Sequence, residues 1–372
     1  MRQADVVVIG GGLHGCSVAL QLALRGRRTV LLERRHVGRH ASGINAGGVR
    51  TLGRDIAEVA LSLRGMDLWR DLRQLVGDDC GFKACGQIKI AENDVELQAL
   101  AQREQTMRSL GYVHERLIDR AELSRRVPAL AGHCVGGLAV DDDGAADPYR
   151  TTLAFGRRAR AAGAEIIEGE AVRGLDRQGD HWVVQGEHAS YRAPLVVNAA
   201  GAWAAQVAGW VGERIPLRTR ASMMIATERL PHFVEPVLGA VGRPLSFKQT
   251  SAGTLLIGGG QQGRADLAAE QSWIHVSNLA RSAQAVVALF PQLRAVRMVR
   301  SWCGIEAETP DHLPVIGLSA VAPGLLHVFG FSGHGFQLGP VCGVAVAELA
   351  IRGETDLPIA GLGVQRFGPA PQ

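Results

Sequence analysis

Apolar and polar residues recur along this chain with two different periods, and the switches between them outline a fold. Ala4 to Ile9 (ADVVVI) is a run rich in β-branched residues that stops at three consecutive glycines. Leu13 to Arg25 then carries apolar residues at helical spacing. Gly26 ends that helix, and Arg28 to Leu32 (RTVLL) predicts a second buried strand closing at Glu33, so the chain opens with a strand–helix–strand unit whose strands run parallel. Residues 55 to 76 predict a helix with Ile56, Val59, Leu63, Met66, Leu68, Leu72 and Leu75 largely on one face.

From Gly86 the pattern changes to short alternating segments, GQIKIAEN and later GGLAVDDDGAADP, which predict antiparallel strands with turns. Tyr149 to Ala162 reads as a helix, and Ala164 to Ile167 with Leu195 to Asn198 as short buried strands, so the chain returns to the parallel layer. Residues 215 to 260 and 297 to 305 again predict strands, with a helix from about 269 to 289 between them. A strand at 325 to 330 and a helix from about Gly339 to Arg352 complete the first layer. The chain thus makes two excursions: residues 1–80, 145–216 and 307–372 form one domain, and residues 81–144 and 217–306 the other. No period of 20 to 50 residues repeats, which excludes a solenoid.

A length of 372 residues exceeds what one hydrophobic core usually organises. With 47% hydrophobic and 20% charged residues the composition excludes a disordered chain or a coiled coil. The net charge of +4 is spread without a block of like charges, so nucleic acid is not an expected partner, and the pairs Arg34–Arg35 and Arg125–Arg126 read as solvated faces. The cysteines Cys16, Cys80, Cys85, Cys134, Cys303 and Cys342 show no CxxC pair and no zinc-like histidine spacing. No metal site is predicted, and reduced thiols in a cytoplasm fit best. Met1-Arg2-Gln3 directly before a strand leaves no room for a secretory signal. Ala193 to Val211, the most apolar stretch, contains Asn198 and Gln206 and reads as a strand and helix rather than a membrane span.

The 47 glycines make close backbone approaches the first place to look for chemistry. Gly10, Gly12 and Gly15 form a GxGxxG pattern directly after a strand and at the head of a helix, and Glu33 ends the next strand, where a ribose hydroxyl needs an acceptor. Gly10 permits the turn, Gly12 lets backbone approach a pyrophosphate, and the helix N-terminus faces its charge. An acidic Glu33 disfavours a 2′-phosphate and hence NADP. Three further segments follow the small-residue run His40-Ala41-Ser42-Gly43-Ile44-Asn45-Ala46-Gly47-Gly48-Val49-Arg50: NAAGAW (Asn198 to Trp203), ETPDHLPVIG (Glu308 to Gly317) and GFSGHGFQLGP (Gly330 to Pro340).

This ordered set resembles the D-amino-acid oxidase, glycine oxidase and sarcosine oxidase family of FAD enzymes, most closely its β-subunit-like members, from about residue 4 to 353. The resemblance implies an α/β fold: a Rossmann-like FAD-binding domain and a second substrate domain built on a mixed, largely antiparallel sheet (α+β). It places Gly10, Gly12, Leu13, His14, Gly15, Glu33 and Arg34 at the ADP half of FAD, and Ser42, Asn45, Ala46, Gly47 and Gly48 along the pyrophosphate and flavin. Val172 falls on the adenine side and Ala200, Gly201 and Trp203 near the pyrophosphate. Gly304, Gly333, His334, Gly335, Phe336 and Gln337 fall around the isoalloxazine. It also implies the activity: oxidation of a C–N bond in a small amino acid or secondary amine to an imine by hydride transfer to flavin, with dioxygen or another acceptor reoxidising it. No Ser-His-Asp constellation accompanies these motifs, and His334, between glycines, reads as a backbone donor ahead of a base.

Several positions depart from the family pattern. The strand Leu255-Leu256-Ile257-Gly258 lacks the lysine of fast oxidases, and Gln337 replaces a second lysine, so a dehydrogenase with another acceptor fits as well as an oxidase. Where glycine and D-amino acid oxidases have a G-L-R-P arginine, this chain has Gly304-Ile305-Glu306-Ala307. Glu306 cannot grip a carboxylate and either favours a cationic or hydroxylated group or pairs with Arg50 or Arg300. Arg50, Lys248, Arg218 and Arg220 are the alternative carboxylate anchors, Arg50 first because it follows the flavin-proximal glycine pair. Cys303 lies one position before the covalent attachment point of monomeric sarcosine oxidases, so non-covalent FAD is expected. The alternatives are a glycine or D-amino acid oxidase and a flavin-bearing electron-transfer subunit. The β-subunit likeness admits a partner subunit or a homo-oligomer.

Overall fold

The computed structural model describes residues 1–368. Its first layer is a six-stranded sheet in the order Val315–Leu318, Leu325–Phe329, Leu195–Asn198, Val6–Ile9, Thr29–Glu33, Glu165–Glu168. All neighbours are parallel except the first pair. Val6–Ile9 and Thr29–Glu33 are buried along their whole length, which is why they read as continuous apolar runs rather than alternating ones. One face packs against the helices Leu13–Leu24, Pro148–Ala161 and Gly339–Arg352. The other is covered by a sheet made of Arg2–Gln3 and the meander Val172–Gln178, His181–Gly186 and Ser190–Ala193, with Leu175, Trp182, Val184 and Tyr191 against Val7, Ile9, Val30 and Leu32. The order reverses around Val6–Ile9, and the crevice beyond its carboxyl end is where such sheets receive ligands.

The second layer is an eight-stranded sheet: Met298–Glu308, Arg218–Arg229, Thr254–Gly258, Ser246–Gln249, Val237–Ala240, Gln87–Ala91, Gly136–Val140, Arg116–Asp119. Its pairs are antiparallel except Val237–Ala240 with Gln87–Ala91. Ile88, Ile225, Leu238, Phe247, Leu255 and Ile257 make one face, closed by the helix Val276–Leu289. Strand alternation sends Gln87, Lys89, Gly239, Ser246, Met224 and Glu306 to the other face, toward the first layer. The sheet is therefore the floor of the crevice.

Local structure departs from the sequence reading at identifiable places. The helix expected over 55–76 is two helices, Ile56–Arg70 and Leu72–Val76, broken at Asp71. Ile56 is exposed, while Leu61, Gly65, Met66 and Trp69 carry the buried face. The helix expected from 269 starts at Val276, because the preceding residues form a hairpin, Arg264–Asp266 with Gln271–Trp273, that turns through Glu270 at φ 53°. Helices Asp94–Ser109 and Arg120–Arg126 and the Val172–Ala193 meander were not anticipated. The strand Met298–Glu308 runs through the expected 306/307 boundary. Among the described residues no helix is long and apolar enough to cross a membrane.

Candidate active site

A cavity of about 770 Å³ lies between the two layers, within the roughly 300–1,000 Å³ typical of cofactor and ligand sites. Its first wall is the glycine turn. Gly10 has φ 110°, and a Cβ there would lie 2.5 Å from the Ala199 carbonyl oxygen. At Gly15 a Cβ would lie 1.9 Å from the Gly10 carbonyl oxygen, and at Gly12 2.9 Å from the Ser42 Oγ. The helix Leu13–Leu24 has no acidic residue in its first turn, and Ser42 Oγ accepts from the Leu13 amide at 2.9 Å, tying the second small-residue segment to the helix start. The Glu33 carboxylate accepts from the Gly11 amide at 2.6 Å and the Arg35 amide at 2.8 Å. Burial raises its pKa against those hydrogen bonds.

The Ser42–Gly48 segment is locked from within. Asn45 donates to the Ala41 and Ser42 carbonyls and accepts from the Gly47 amide at 2.7 Å. Gly47 has φ 68°, and a Cβ there would lie 2.2 Å from the Ala146 carbonyl oxygen. Trp302 Nε1 donates to the Ile44 carbonyl at 2.8 Å, and a Cβ on Gly304 would collide with Ile44, so the second layer seats on this segment through two close contacts. At the nucleotide end the hairpin crosses over. Glu270 pairs with Arg34 at 3.3 Å and Arg35 at 2.9 Å, Trp203 Nε1 donates to the Leu267 carbonyl, and Arg34 lies 4.7 Å over the Trp203 ring.

Seven buried side-chain polar atoms have no protein partner among the described residues, and three of them, His14 Nδ1, His40 Nε2 and Gln87 Oε1, belong to residues on the cavity wall. Buried polar atoms without partners are rare, so their concentration here marks a place built to be completed by a polar ligand. The glycine cradle, the helix start and these atoms fit a flavin dinucleotide. His14 stacks flat on Phe331 at 3.7 Å, joining the GxGxxG turn to the GFSGHGF loop, and burial lowers its pKa to about 3. His40 is likewise lowered to about 4, so both rings are neutral.

The cavity wall includes Gly10, Gly12, Leu13, His14, Glu33, Arg34, Ser42, Asn45, Ala46, Gly47, Gly48, Val172, Ala200, Gly201, Trp203, Gly304, Gly333, His334, Gly335 and Phe336, and also Arg50 and Glu306. Gly15 stands behind it against Gly10. Arg50 donates Nη1 to the Leu52 carbonyl at 2.9 Å and forms no ion pair among the described residues; burial lowers its pKa. Glu306 accepts from Ser222 Oγ and stands near Gly333, and its pKa is raised by burial. It pairs with neither Arg50 nor Arg300. Arg220 instead binds Glu308 at 2.8 Å, and Arg300 packs over Trp302.

Two expected site residues, Gln337 and Lys248, lie off the wall. Gln337 is wholly buried off the wall: its amide donates to the Ser62 carbonyl at 2.8 Å and accepts from Arg54 and Ser62, so it pins the glycine loop to the helix Ile56–Arg70. His334 is on the wall, its imidazole Nε2 held by Glu58 at 3.1 Å and its carbonyl accepting from Arg54 at 2.9 Å. Lys248 is behind Gly47, with Nζ 3.5 Å from the Ala146 carbonyl, and off the wall; burial lowers its pKa to about 8. It is nevertheless the cross-strand partner of Leu256, so a cation stands one strand away from where the sequence lacks one. Arg218 is exposed.

Sequence reasoning missed Arg54, Glu58 and Trp69, whose Nε1 donates to the Gln337 carbonyl at 2.7 Å, and it missed Gln87 and Lys89 on the floor. The period-2 pattern of GQIKI carried the last two. Cys303 points away from the cavity, its Sγ 3.6 Å from the Trp273 carbonyl, with its pKa raised by burial.

A sequence profile described as FAD dependent oxidoreductase matches residues 5–349. The chain is 27% identical to hydrogen cyanide synthase subunit HcnC of Pseudomonas aeruginosa, covering 100% of this chain and 98% of that one. It is 28% identical to mitochondrial sarcosine dehydrogenase of Mus musculus over 98% of this chain, which spans only 41% of that longer protein. The solved L-proline dehydrogenase from P. horikoshii superposes with a TM-score of 0.92 at 27% identity, covering 98% of each chain.

Proposed function

The chain belongs to the FAD dependent oxidoreductase family, and from that premise we propose that it oxidises the C–N bond of a small amino acid or secondary amine whose carboxylate is gripped by Arg50. The observation that carries the reading is Arg50 itself: a guanidinium on the cavity wall that, among the described residues, has one side-chain acceptor, the Leu52 carbonyl, and no ion pair, leaving donors for a ligand anion. FAD supplies the acceptor for the two electrons of the substrate C–H bond. The protein contributes position and field.

The residue roles divide along the cavity. Gly10, Gly12 and Glu33 hold the adenosine side and Ser42 to Gly48 the middle. The Gly333–Phe336 loop faces the ring, steadied from behind by Arg54, Gln337 and Trp69. Glu306, whose pKa burial raises, accepts from Ser222 Oγ at the cavity wall. No side chain is required as nucleophile. The division into residues 1–80, 145–216 and 307–372 around the cofactor and 81–144 and 217–306 around the substrate is the reading the two sheets support. The direction of Cys303, away from the cavity, supports non-covalent attachment. The relative HcnC is named as a subunit, which supports a partner chain here, and the buried unpaired thiols support a cytoplasmic place.

Anaerobic mixing with N-methyl, cyclic imino and primary amino acids tests the proposal. At least one class bleaches the flavin band, and admission of air then separates oxidase from dehydrogenase by how fast colour returns. If no amine bleaches the flavin, the amine reading is overturned in favour of an electron-transfer subunit.

A further inference from the structure

The cavity floor beside Arg50 holds a second cation that the reading above does not use. Lys89 lies on the strand Gln87–Ala91, two residues from Gln87, and both side chains share the cavity face because Ile88 and Ile90 point into the opposite core. Lys89 forms no ion pair or side-chain hydrogen bond among the described residues. Burial, with the nearby charges of Arg50 and Arg103, lowers its pKa against the opposing charge of Glu115.

The carboxylates around it are already committed. Glu115 takes two hydrogen bonds from Arg103, at 2.8 and 3.1 Å, and one from the Gly53 amide at 2.7 Å. Asp143 is held by the Thr51 amide, the Thr51 hydroxyl and the Leu52 amide. Glu58 holds His334. This end of the cavity therefore sets four cationic side chains, Arg50, Arg54, Arg103 and Lys89, against three carboxylates. Of these four, the two that line the cavity, Arg50 and Lys89, form no ion pair among the described residues.

Holding a lysine half-buried beside an arginine is unfavourable unless an anion completes the pair. One substrate carboxylate satisfies Arg50 and leaves Lys89 without an anion. Gln87 Oε1, buried without a partner on the same strand, adds an acceptor for a substrate N–H. We propose that Lys89 is a specificity residue that receives a second acidic group, so that the substrate class is an amino- or iminodicarboxylate: a secondary amine flanked by two carboxyl-bearing arms, or an amino acid with an acidic side chain. This rests on the reading of the protein as an amine oxidoreductase.

The test compares the holoenzyme with its Lys89→Gln variant. The probes are N-methylglycine and proline as monocarboxylates, N-(carboxymethyl)glycine and glutamate as dicarboxylates, and the monoamide of N-(carboxymethyl)glycine, which keeps the shape and loses one charge. Flavin reduction is followed anaerobically, and binding of the non-reacting pyridine-2,6-dicarboxylate and pyridine-2-carboxylate is read from the shift of the flavin absorption band. The expected result is a dicarboxylate preference in the native protein that falls about tenfold or more in Lys89→Gln, with monocarboxylates and the monoamide changed less than about twofold. A variant that weakens mono- and dicarboxylates equally, or neither, overturns the role of Lys89 while leaving amine oxidation standing. Absence of bleaching by every amine overturns the underlying reading instead.

Discussion

Replacing Arg50 with glutamine removes the guanidinium while keeping a side chain that can still reach the Leu52 carbonyl, its one protein acceptor at 2.9 Å. A charge-assisted hydrogen bond to a carboxylate contributes about 1.5–3 kcal/mol. At 1.36 kcal/mol per decade this corresponds to about a 10- to 150-fold loss in kcat/KM. The fold should bear the change well. The internal hydrogen bond is worth about 1 kcal/mol, and its weakening is offset by relief of repulsion from Arg54 and Lys89, which crowd the same end. The assay is anaerobic stopped-flow reduction over a range of substrate concentration, with flavin content and thermal midpoint as controls. The concentration for half-maximal rate should rise at least tenfold at unchanged flavin content, and Arg50→Lys should recover part of the loss. An unchanged concentration dependence refutes the carboxylate anchor.

Gly15→Ala places a methyl 1.9 Å from the Gly10 carbonyl oxygen, a collision with backbone, so purified protein should carry little flavin by absorbance per chain; full occupancy would refute the cradle. Glu270→Gln unties the hairpin from Arg34 and Arg35, and FAD release should quicken about three- to tenfold at low ionic strength and less at high salt; equal release at low salt refutes the clamp. His14 and His40 are held neutral, with pKa values lowered to about 3 and about 4, whereas the unfolded chain takes up these protons near pH 6.5. Their contribution is complete above pH 6.5 and is lost as pH falls toward 4. The thermal midpoint at saturating FAD should therefore fall over that range, and His14→Phe, which keeps the stack on Phe331, should flatten the slope; parallel slopes would show that His14 does not titrate there.

What the sequence made legible was whatever is decided within a few residues. The strand, glycine turn and helix at Val6–Leu24 are such a case, because Gly10 and Gly15 are demanded by contacts within that same unit. Gln337 shows the limit. Its loop context was readable, but its side chain is claimed by Ser62 and Arg54, almost three hundred residues earlier, and no local pattern announces that packing. Lys248 is similar: alternation put it on the correct face, and the turn at Gly47 covers it. The helix Asp94–Ser109 buries only Leu100 and Met107, too few for an apolar period. Its cap was nevertheless written in the chain, since Asn93 accepts from the Glu96 amide while Glu96 accepts from the Glu92 amide. The meander Val172–Ala193 was also marked, by turns at Gly179-Asp180 and Glu187-His188.

The cationic end of the cavity joins these strands of argument, because one network serves two purposes. Arg54 donates to the Arg50 carbonyl, to the His334 carbonyl and to Gln337, and Arg103 donates to the Arg54 carbonyl. The groups that fix the glycine loop are thus the neighbours of the group proposed to grip the substrate carboxylate, Arg50. Their summed field acts on the substrate nitrogen as well as on its carboxylate. An ammonium brought beside Arg50 would be disfavoured relative to the neutral amine. The neutral amine, with its lone pair free, is the form whose adjacent C–H electrons are most readily given up. On the proposed reading the cluster would select the carboxylate and lower the pH at which the bound amine becomes reactive. Removing Arg50 should move the acid limb of the flavin-reduction profile to higher pH, a shift that loss of a neutral contact would not produce.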